Sequence, residues 1–285
     1  MDFPHIFSIE TVLGCNLHCI ECAIGSNIIS RKYGMMSFNQ FNIIAEKMKK
    51  YCTYAYLHLW GEPMLNPDII KIIEVASKFT RTNISTNANS IDKIKAKQLI
   101  HSGVSDIIVS IDDMTQNIYN IYRRGGSLEK AILGLMYLVR YNILGKKKIS
   151  ITPQFIVFEH NKHEMKQFEQ FCFSLGISPV FKAPYIRHGS ILKNSGNPFY
   201  ERKISDDIIL RKENMKLCNI NNVFTILLDG SVVACCYDHN GITTFGNIFK
   251  DSVDKIWTSE KFTNFRESIS NGTPPPFCLK NCLLY

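Results

Sequence analysis

The chain reads as an α/β protein, a partial six-unit (β/α) barrel with a small cysteine-bearing C-terminal extension. Three observations predict this. Short apolar, β-branched runs alternate with helix-period stretches over roughly the first 185 residues. Beyond them the pattern gives way to a stretch rich in Gly, Asn, Ser and charge, and then to a hairpin signature. Eight of the ten cysteines fall in two groups, three at 15, 19 and 22 and five between 218 and 282. Strands that alternate with helices form a parallel sheet. Six or more such units make a full or partial TIM-like barrel, whose chemistry sits at the C-terminal strand ends.

The elements follow in order. Residues 6–12 form a first strand ending at Gly14, and Ser37 with Gln40 makes a capping box ahead of Phe41, Ile44, Ala45 and Met48 at helical spacing. Residues 54–60 form the next strand. Asn66-Pro67 supplies an N-cap and first-turn proline for a helix whose buried stripe is Ile69, Ile72, Ile73 and Ala76. Strand 83–86, helix 91–102 stopped by Gly103, and strand 106–112 continue the alternation. Helix 128–144, strand 150–158, helix 162–175 and strand 180–183 complete it. The expected division is a core over 1–185, a linker over 186–217 and a distinct extension over 218–285. In the extension, 223–228, Asp229-Gly230 and 231–235 make a hairpin, followed by a helical segment over 253–269. Its few apolar runs point to folding around a metal centre.

Composition excludes several classes. A hydrophobic fraction of 45% in 285 residues supplies a core and excludes a disordered chain. The net charge of +8 is scattered, with only short runs such as Lys146-Lys147-Lys148, so it reads as a solvated surface with no nucleic-acid partner. No apolar run approaches the ~20 residues of a membrane span. Met1-Asp2-Phe3-Pro4-His5 does not open a signal peptide. A cytoplasmic protein is expected, and there disulfides are disfavoured, so ten cysteines need another use.

Cys15, Cys19 and Cys22 have the spacing C-x3-C-x2-C directly after the first strand. Three thiolates in one loop can hold three irons of a 4Fe–4S cluster and leave the fourth open to a small molecule. Zinc, with His18 as fourth ligand, is the alternative. The motif resembles the signature of the radical S-adenosylmethionine superfamily. That resemblance implies S-adenosylmethionine on the open iron and its reductive cleavage to a 5′-deoxyadenosyl radical. It also implies a flavodoxin- or ferredoxin-type reductant. Trp60-Gly61-Glu62-Pro63 resembles the family's Gly-Gly-Glu-Pro motif, with Trp in place of the first Gly. By that resemblance Gly61, Glu62 and Pro63 meet the cofactor's amino group. Ser85 and Asn87, then Ser110 and Asp112, match ribose-contacting positions at successive strand ends. Arg124 matches the arginine that pairs with the cofactor carboxylate, and Gln154 and Asn161 are further carry-overs.

Cys218, Gly230 and Cys235 open as C-x11-G-x4-C, and Cys278 and Cys282 follow as C-x3-C. With Asp229-Gly230 ahead of Cys235-Cys236 and the later Phe245-Gly246-Asn247-Ile248, this resembles the SPASM and twitch extensions of the superfamily, which bind auxiliary 4Fe–4S clusters. Five cysteines are too few for two fully cysteine-ligated clusters. One auxiliary cluster on Cys218, Cys235, Cys278 and Cys282 is expected, two clusters in all, with zinc the alternative metal. Adjacent Cys235 and Cys236 on a strand should point to opposite faces. Cys236 is then either a packed thiol or an active-site one. Cys52 and Cys172, on helical segments, read as buried apolar thiols.

The short auxiliary set resembles 2-deoxy-scyllo-inosamine dehydrogenases more than anaerobic sulfatase-maturing enzymes. The first strand begins within ten residues of Met1, which leaves no room before it for a peptide-recognition domain. The expected reaction is therefore two-electron oxidation of an alcohol in a sugar-like or cyclitol substrate, with the auxiliary cluster as electron acceptor. Arg187 and His188, just past the last barrel strand, are candidate substrate contacts. The alternatives are peptide modification, epimerisation with Cys236 returning a hydrogen atom, and a non-catalytic Fe–S electron carrier.

Overall fold

The structure, a computed structural model, describes residues 3–145, 148–187, 190–201 and 218–282. β1 (Ile6–Ile9) starts the sheet, and β2 (Val12–Leu13) pairs antiparallel with β3 (Gly34–Met35) beside it. α1 (Phe38–Met48) leads to β4 (Tyr54–Tyr56), and α2 (Ile69–Ala76) to β5 (Arg81–Thr86). α3 (Lys93–His101) precedes β6 (Asp106–Ser110). α4 (Gln116–Tyr122) and α5 (Leu128–Leu144) precede β7 (Ser150–Ile156), and α6 (Met165–Ser174) precedes β8 (Val180–Lys182). Strands β1, β4, β5, β6, β7 and β8 pair in that order and all run parallel, the six-unit series that the alternation predicts.

The extension joins the same sheet. Its first strand, β9 (Val223–Ile226), pairs parallel with β1 from Ile6↔Val223 to Ile9↔Ile226. β10 (Ser231–Val233) folds back as the expected hairpin, and β11 (Gly246–Asn247) adds a further antiparallel strand. The sheet thus grows to nine strands. Phe224 of β9 packs on Phe7 of β1, ring centroids 5.2 Å apart, and on Trp257. Trp257 ends α7 (Val253–Trp257) and packs against Phe262 of α8 (Glu260–Ser270), with the Arg266 guanidinium 3.9 Å from its ring centroid. α9 (Pro276–Asn281) closes the described chain and carries Cys278.

Strand alternation separates two faces. Phe7, Ala55, Ile84, Ile107 and Phe155 bury against helix residues such as Phe41, Ile72, Leu135 and Phe168. The opposite face carries Ser8, Tyr54, Tyr56, Asn83, Ser110 and Gln154, and lines the barrel lumen. There Tyr54 Oη donates to Asp106 (3.0 Å) and accepts from Asn83 Nδ2 (3.2 Å). Cys52 and Cys172 are buried in the apolar core, as read.

The capping box at Ser37 and Gln40 is present. The Asn66 cap is not, because α2 starts three residues later, after Asp68. Asn66 Oδ1 instead accepts from Asp68 N (2.9 Å), and Nδ2 donates to the Thr11 and Met36 carbonyls. The predicted first strand divides in two, β1 and β2, with Glu10 between them; its N–H donates to Ile226 O (2.9 Å) while its carboxylate accepts from Arg31 and from Leu228 N. The helix expected over 253–269 is two helices, with Ser259 capping the second. Among the described residues, no helix is long and apolar enough to cross a membrane.

Candidate active site

The first cysteine loop leaves β2 and coils tightly. Cys22 N donates to Cys19 O (3.1 Å) and Ser26 N to Cys22 O (2.9 Å). A Cβ on Gly25 would lie 2.3 Å from the Cys19 carbonyl oxygen, so only glycine lets the coil close. The loop bends over the C-terminal ends of the strands. Cys15, Cys19 and Cys22 form one wall of a cleft of about 150 Å³, and Gly61, Glu62, Ser85, Asn87 and Ser110 form the other. His18 is exposed and does not line it.

Gly61 has φ +106°, and a Cβ there would stand 2.6 Å from both the Gly14 and Val12 carbonyl oxygens. The following Glu62 N–H donates to Gly14 O (2.9 Å), which docks this turn on the cysteine loop. The Glu62 carboxylate is buried. It accepts from Thr86 Oγ1 (2.7 Å), Asn87 N (2.7 Å) and Met64 N (3.1 Å). Burial raises its pKa, and these bonds oppose that rise. Asn87 Nδ2 reaches Asn16 Oδ1 (2.9 Å) and lies 3.7 Å from Cys15 Sγ. Pro63, buried, starts the 3₁₀ turn behind Glu62.

Three sequence readings are displaced. Arg124 is exposed, and only its carbonyl engages, accepting from His18 N (2.8 Å). The guanidinium at the cleft belongs to Arg123, buried, with Nη1 4.0 Å from Cys19 Sγ. Asp112, read as a ribose contact, lies behind that arginine. Its Oδ2 accepts from Arg123 Nε (2.5 Å) and Nη2, and its Oδ1 from Ile156 N (2.6 Å), so both oxygens are used. Its φ of +73° marks a backbone held in strain for this purpose. Asn161 bonds the Asp112 and Ile156 carbonyls and holds this corner from beneath. Gln154 reaches Ser110 Oγ at 3.5 Å on the lumen face.

Arg187 binds the cysteine loop and is not turned to the lumen. Its N and Nε donate to Glu21 Oε2 (3.1 and 2.9 Å), Nη1 to Ser26 Oγ (2.7 Å) and Nη2 to the Ile20 carbonyl. His188 lies outside the described residues.

The second group lines a cavity of about 400 Å³, walled by all five cysteines of the extension together with Ser8, Tyr56 and His58 from the barrel. Cys235 and Cys236 do not face apart. β10 ends at Val233, and both cysteines lie in the turn beyond it, where strand alternation no longer applies. Burial pushes the thiols up, Cys15 to about 11, Cys19 and Cys278 to about 12, and Cys235 higher still. Buried thiols become thiolates only beside positive charge, which a metal group brings. Thiols standing around a space suit a polynuclear iron–sulfur group better than zinc. Trp60, in place of the motif's first glycine, donates from Nε1 to the Cys236 carbonyl (3.0 Å) and packs edge-on against His239.

A family model described as the radical SAM superfamily matches residues 9–172. The chain belongs to the radical SAM superfamily. A second model, SPASM, an iron–sulfur cluster-binding domain, matches residues 218–283. Membership brings S-adenosylmethionine with a 4Fe–4S cluster, and the extension brings further iron–sulfur binding, to which the two thiol sites are chemically suited. The chain is 24% identical to the tungsten-containing aldehyde ferredoxin oxidoreductase cofactor-modifying protein of Pyrococcus furiosus, over 94% of this chain and 84% of that one. It is 26% identical to the mycofactocin maturase MftC of Mycobacterium ulcerans over 59% of this chain, and the match spans 44% of that relative's length. Among solved structures, BtrN in complex with AdoMet and 2-DOIA has the same fold, with a TM-score of 0.57 at 18% identity, covering 95% of this chain and 89% of that one.

Proposed function

We propose that this radical SAM enzyme oxidises an alcohol carbon of a sugar-like or cyclitol small molecule to a carbonyl. The observation that carries this reading is a set of hydroxyl groups in the wall of the five-cysteine cavity. Ser8, Tyr56 and Thr225 line that cavity, while Tyr54 and Asn83 bond each other outside it. Thr225 Oγ1 is buried without a hydrogen-bond partner. In a wall that is otherwise largely apolar, these few hydroxyls can take the oxygens of a ring-shaped ligand. A structure bound to AdoMet and 2-DOIA has this fold, which agrees with a small-molecule substrate.

In this reading, the first cluster with S-adenosylmethionine would supply the radical chemistry that removes a carbon-bound hydrogen atom, an auxiliary 4Fe–4S cluster would accept the remaining electron, and the hydroxyl proton would leave to a base or to water. Cys15, Cys19 and Cys22 hold the first, and Cys218, Cys235, Cys278 and Cys282 the second. Gly61 and Glu62 take the cofactor's amino group, Arg123 takes its carboxylate in place of Arg124, and Ser85, Asn87 and Ser110 bind its ribose. Residues 1–185 act as the radical core and 218–285 as the auxiliary-cluster unit, joined by 186–217. The electron source is a flavodoxin- or ferredoxin-type protein.

Peptide modification is the second reading, favoured by the name of the MftC relative. Epimerisation is a third, favoured by the fifth thiol, Cys236, in a cavity where a cluster uses four. Turnover of the reconstituted enzyme on a pool of cyclitols and amino sugars in deuterated solvent separates them. A product two hydrogens lighter, with no new carbon–deuterium bond, supports oxidation. Deuterium at carbon with unchanged oxidation level supports epimerisation. An untouched pool, with S-adenosylmethionine cleaved, defeats the small-molecule reading.

A further inference from the structure

We propose that His58 binds the substrate as a hydrogen-bond donor at the junction of the two cysteine sites, and that its imidazole is barred from acting as the proton acceptor. The inference rests on the small-molecule reading above and adds a binding residue to it.

Tyr54 and Tyr56 of β4, with His58 two residues past its end, alternate and form an aromatic ladder on the lumen face. Ring centroids are 5.0 Å apart between the tyrosines and 5.7 Å between Tyr56 and His58, both edge-on. His58 is its last rung, two residues before Trp60-Gly61-Glu62. There β4 leaves the ladder, as Thr11 Oγ1 takes the Leu57 carbonyl (2.8 Å). The Ser85 N–H donates instead to His58 Nδ1 (3.1 Å).

That bond decides the chemistry. A neutral imidazole that accepts at Nδ1 carries its proton on Nε2, where it donates and cannot accept. Burial lowers the ring's pKa to about 4, with the Lys182 charge adding to it and the Asn83 carbonyl opposing, so the ring stays neutral at pH 7. His58 lines the larger cavity and Ser85 lines the cleft at Glu62, so the bonded pair sits where the two sites meet. A substrate placed to lose hydrogen at one site and an electron at the other passes this imidazole. An aromatic wall topped by a single N–H donor fits a ring bearing hydroxyl or carbonyl oxygens.

Two measurements on the cluster-loaded protein test this. The chain has eight histidines, so [¹⁵N]histidine labelling with a His58→Gln variant assigns the resonance, and two-bond ¹H–¹⁵N correlations read the tautomer. The expected pattern is Nε2-protonated and unchanged from pH 6 to pH 8. An Nδ1-protonated ring, or a titration inside that range, overturns the proposal. Binding of myo-inositol is then followed by calorimetry. His58→Leu should weaken it about tenfold, the loss of one neutral hydrogen bond, and His58→Gln, which keeps a donor near the Nε2 position, should stay within about threefold of wild type. Equal binding by the Leu variant overturns the donor role. If wild type binds no inositol, the small-molecule reading fails, while the tautomer still decides whether His58 is a donor. Both variants should keep wild-type iron content, which excludes misfolding as the cause.

Discussion

Replacing Arg187 by alanine tests whether that residue serves the cysteine loop or the substrate. The Glu21 side chain is 4% exposed and that of Arg187 is 26% exposed. Glu21 also accepts from Ser190 Oγ and from the Arg187 backbone N–H, and both bonds survive truncation. What disappears is the Nε bond to Glu21, the Nη1 bond to Ser26 and the Nη2 bond to the Ile20 carbonyl. Removing one partner of a largely buried ion pair costs about 3–5 kcal/mol, and partial exposure of the guanidinium puts this case near ~3 kcal/mol. In a chain of this size that lowers Tm by roughly 6–9 °C. Because Ile20 and Glu21 lie between Cys19 and Cys22, the loop should also hold iron poorly. Anaerobic melting and iron analysis of Arg187→Ala, Arg187→Lys and the Glu21→Gln/Arg187→Ala pair make the test. Lysine, lacking the planar fork, should recover only part of the loss. The double variant should melt above Arg187→Ala, since it leaves no buried unpaired carboxylate. An Arg187→Ala protein with wild-type Tm and iron but a raised KM refutes the strut and restores a substrate contact.

Three further outcomes are expected. Anaerobically reconstituted protein should carry about eight irons and eight sulfides per chain, and the triple Cys15, Cys19 and Cys22 alanine variant about four; stoichiometric zinc beside only four irons would sink the auxiliary cluster. Reductant with S-adenosylmethionine should yield 5′-deoxyadenosine and methionine slowly without substrate, and Arg123→Gln should suppress this far more than Arg124→Gln; equal effects would remove Arg123 from the cleft chemistry. Asp113 is buried with neither carboxyl oxygen hydrogen-bonded, and burial, with Asp112 beside it, pushes its pKa up to about 9. Between about pH 4 and 9 the folded state therefore holds a proton that the unfolded chain has released, and stability falls as pH rises, by at most about 1.4 kcal/mol per unit. Asp113→Asn removes that loss, so its advantage in denaturant unfolding should be larger at pH 8 than at pH 5; a constant difference would show that Asp113 is ionised in the fold.

What the sequence made legible was local. Period-two and period-3.6 patterns placed the six parallel strands and their helices, because each buries one face against the other. The C-x3-C-x2-C spacing and Gly61-Glu62-Pro63 marked the cleft, because a cysteine loop and a tight turn need those residues in one short stretch. Long-range partners were not legible. Arg123 and Arg124 are adjacent and identical in type, and only the position of Asp112 after β6 determines which of them turns inward. Arg187 follows a strand end, where barrel chemistry usually sits, yet Glu21 claims it from the far side of the mouth. Cys235 and Cys236 were assigned opposite faces on the assumption that β10 continued through them, and it ends two residues earlier.

Trp60 shows how a departure from a motif can itself carry information. At the position where the family pattern has glycine, the indole N–H bonds the carbonyl of Cys236, and the ring packs on His239. The same turn of the extension is held from the cysteine-loop side. Arg31 donates to the His239 carbonyl (2.6 Å) while paired with Glu10, and Ser30 N donates to Asn240 Oδ1 (2.9 Å). Glu10 in turn accepts from Leu228 N (2.9 Å) in the hairpin. A glycine could make none of the Trp60 contacts, and the 236–240 turn would lose its only link to the Gly61-Glu62 segment among the bonds described. The substitution therefore ties the residues at the cofactor cleft to the wall of the five-cysteine cavity.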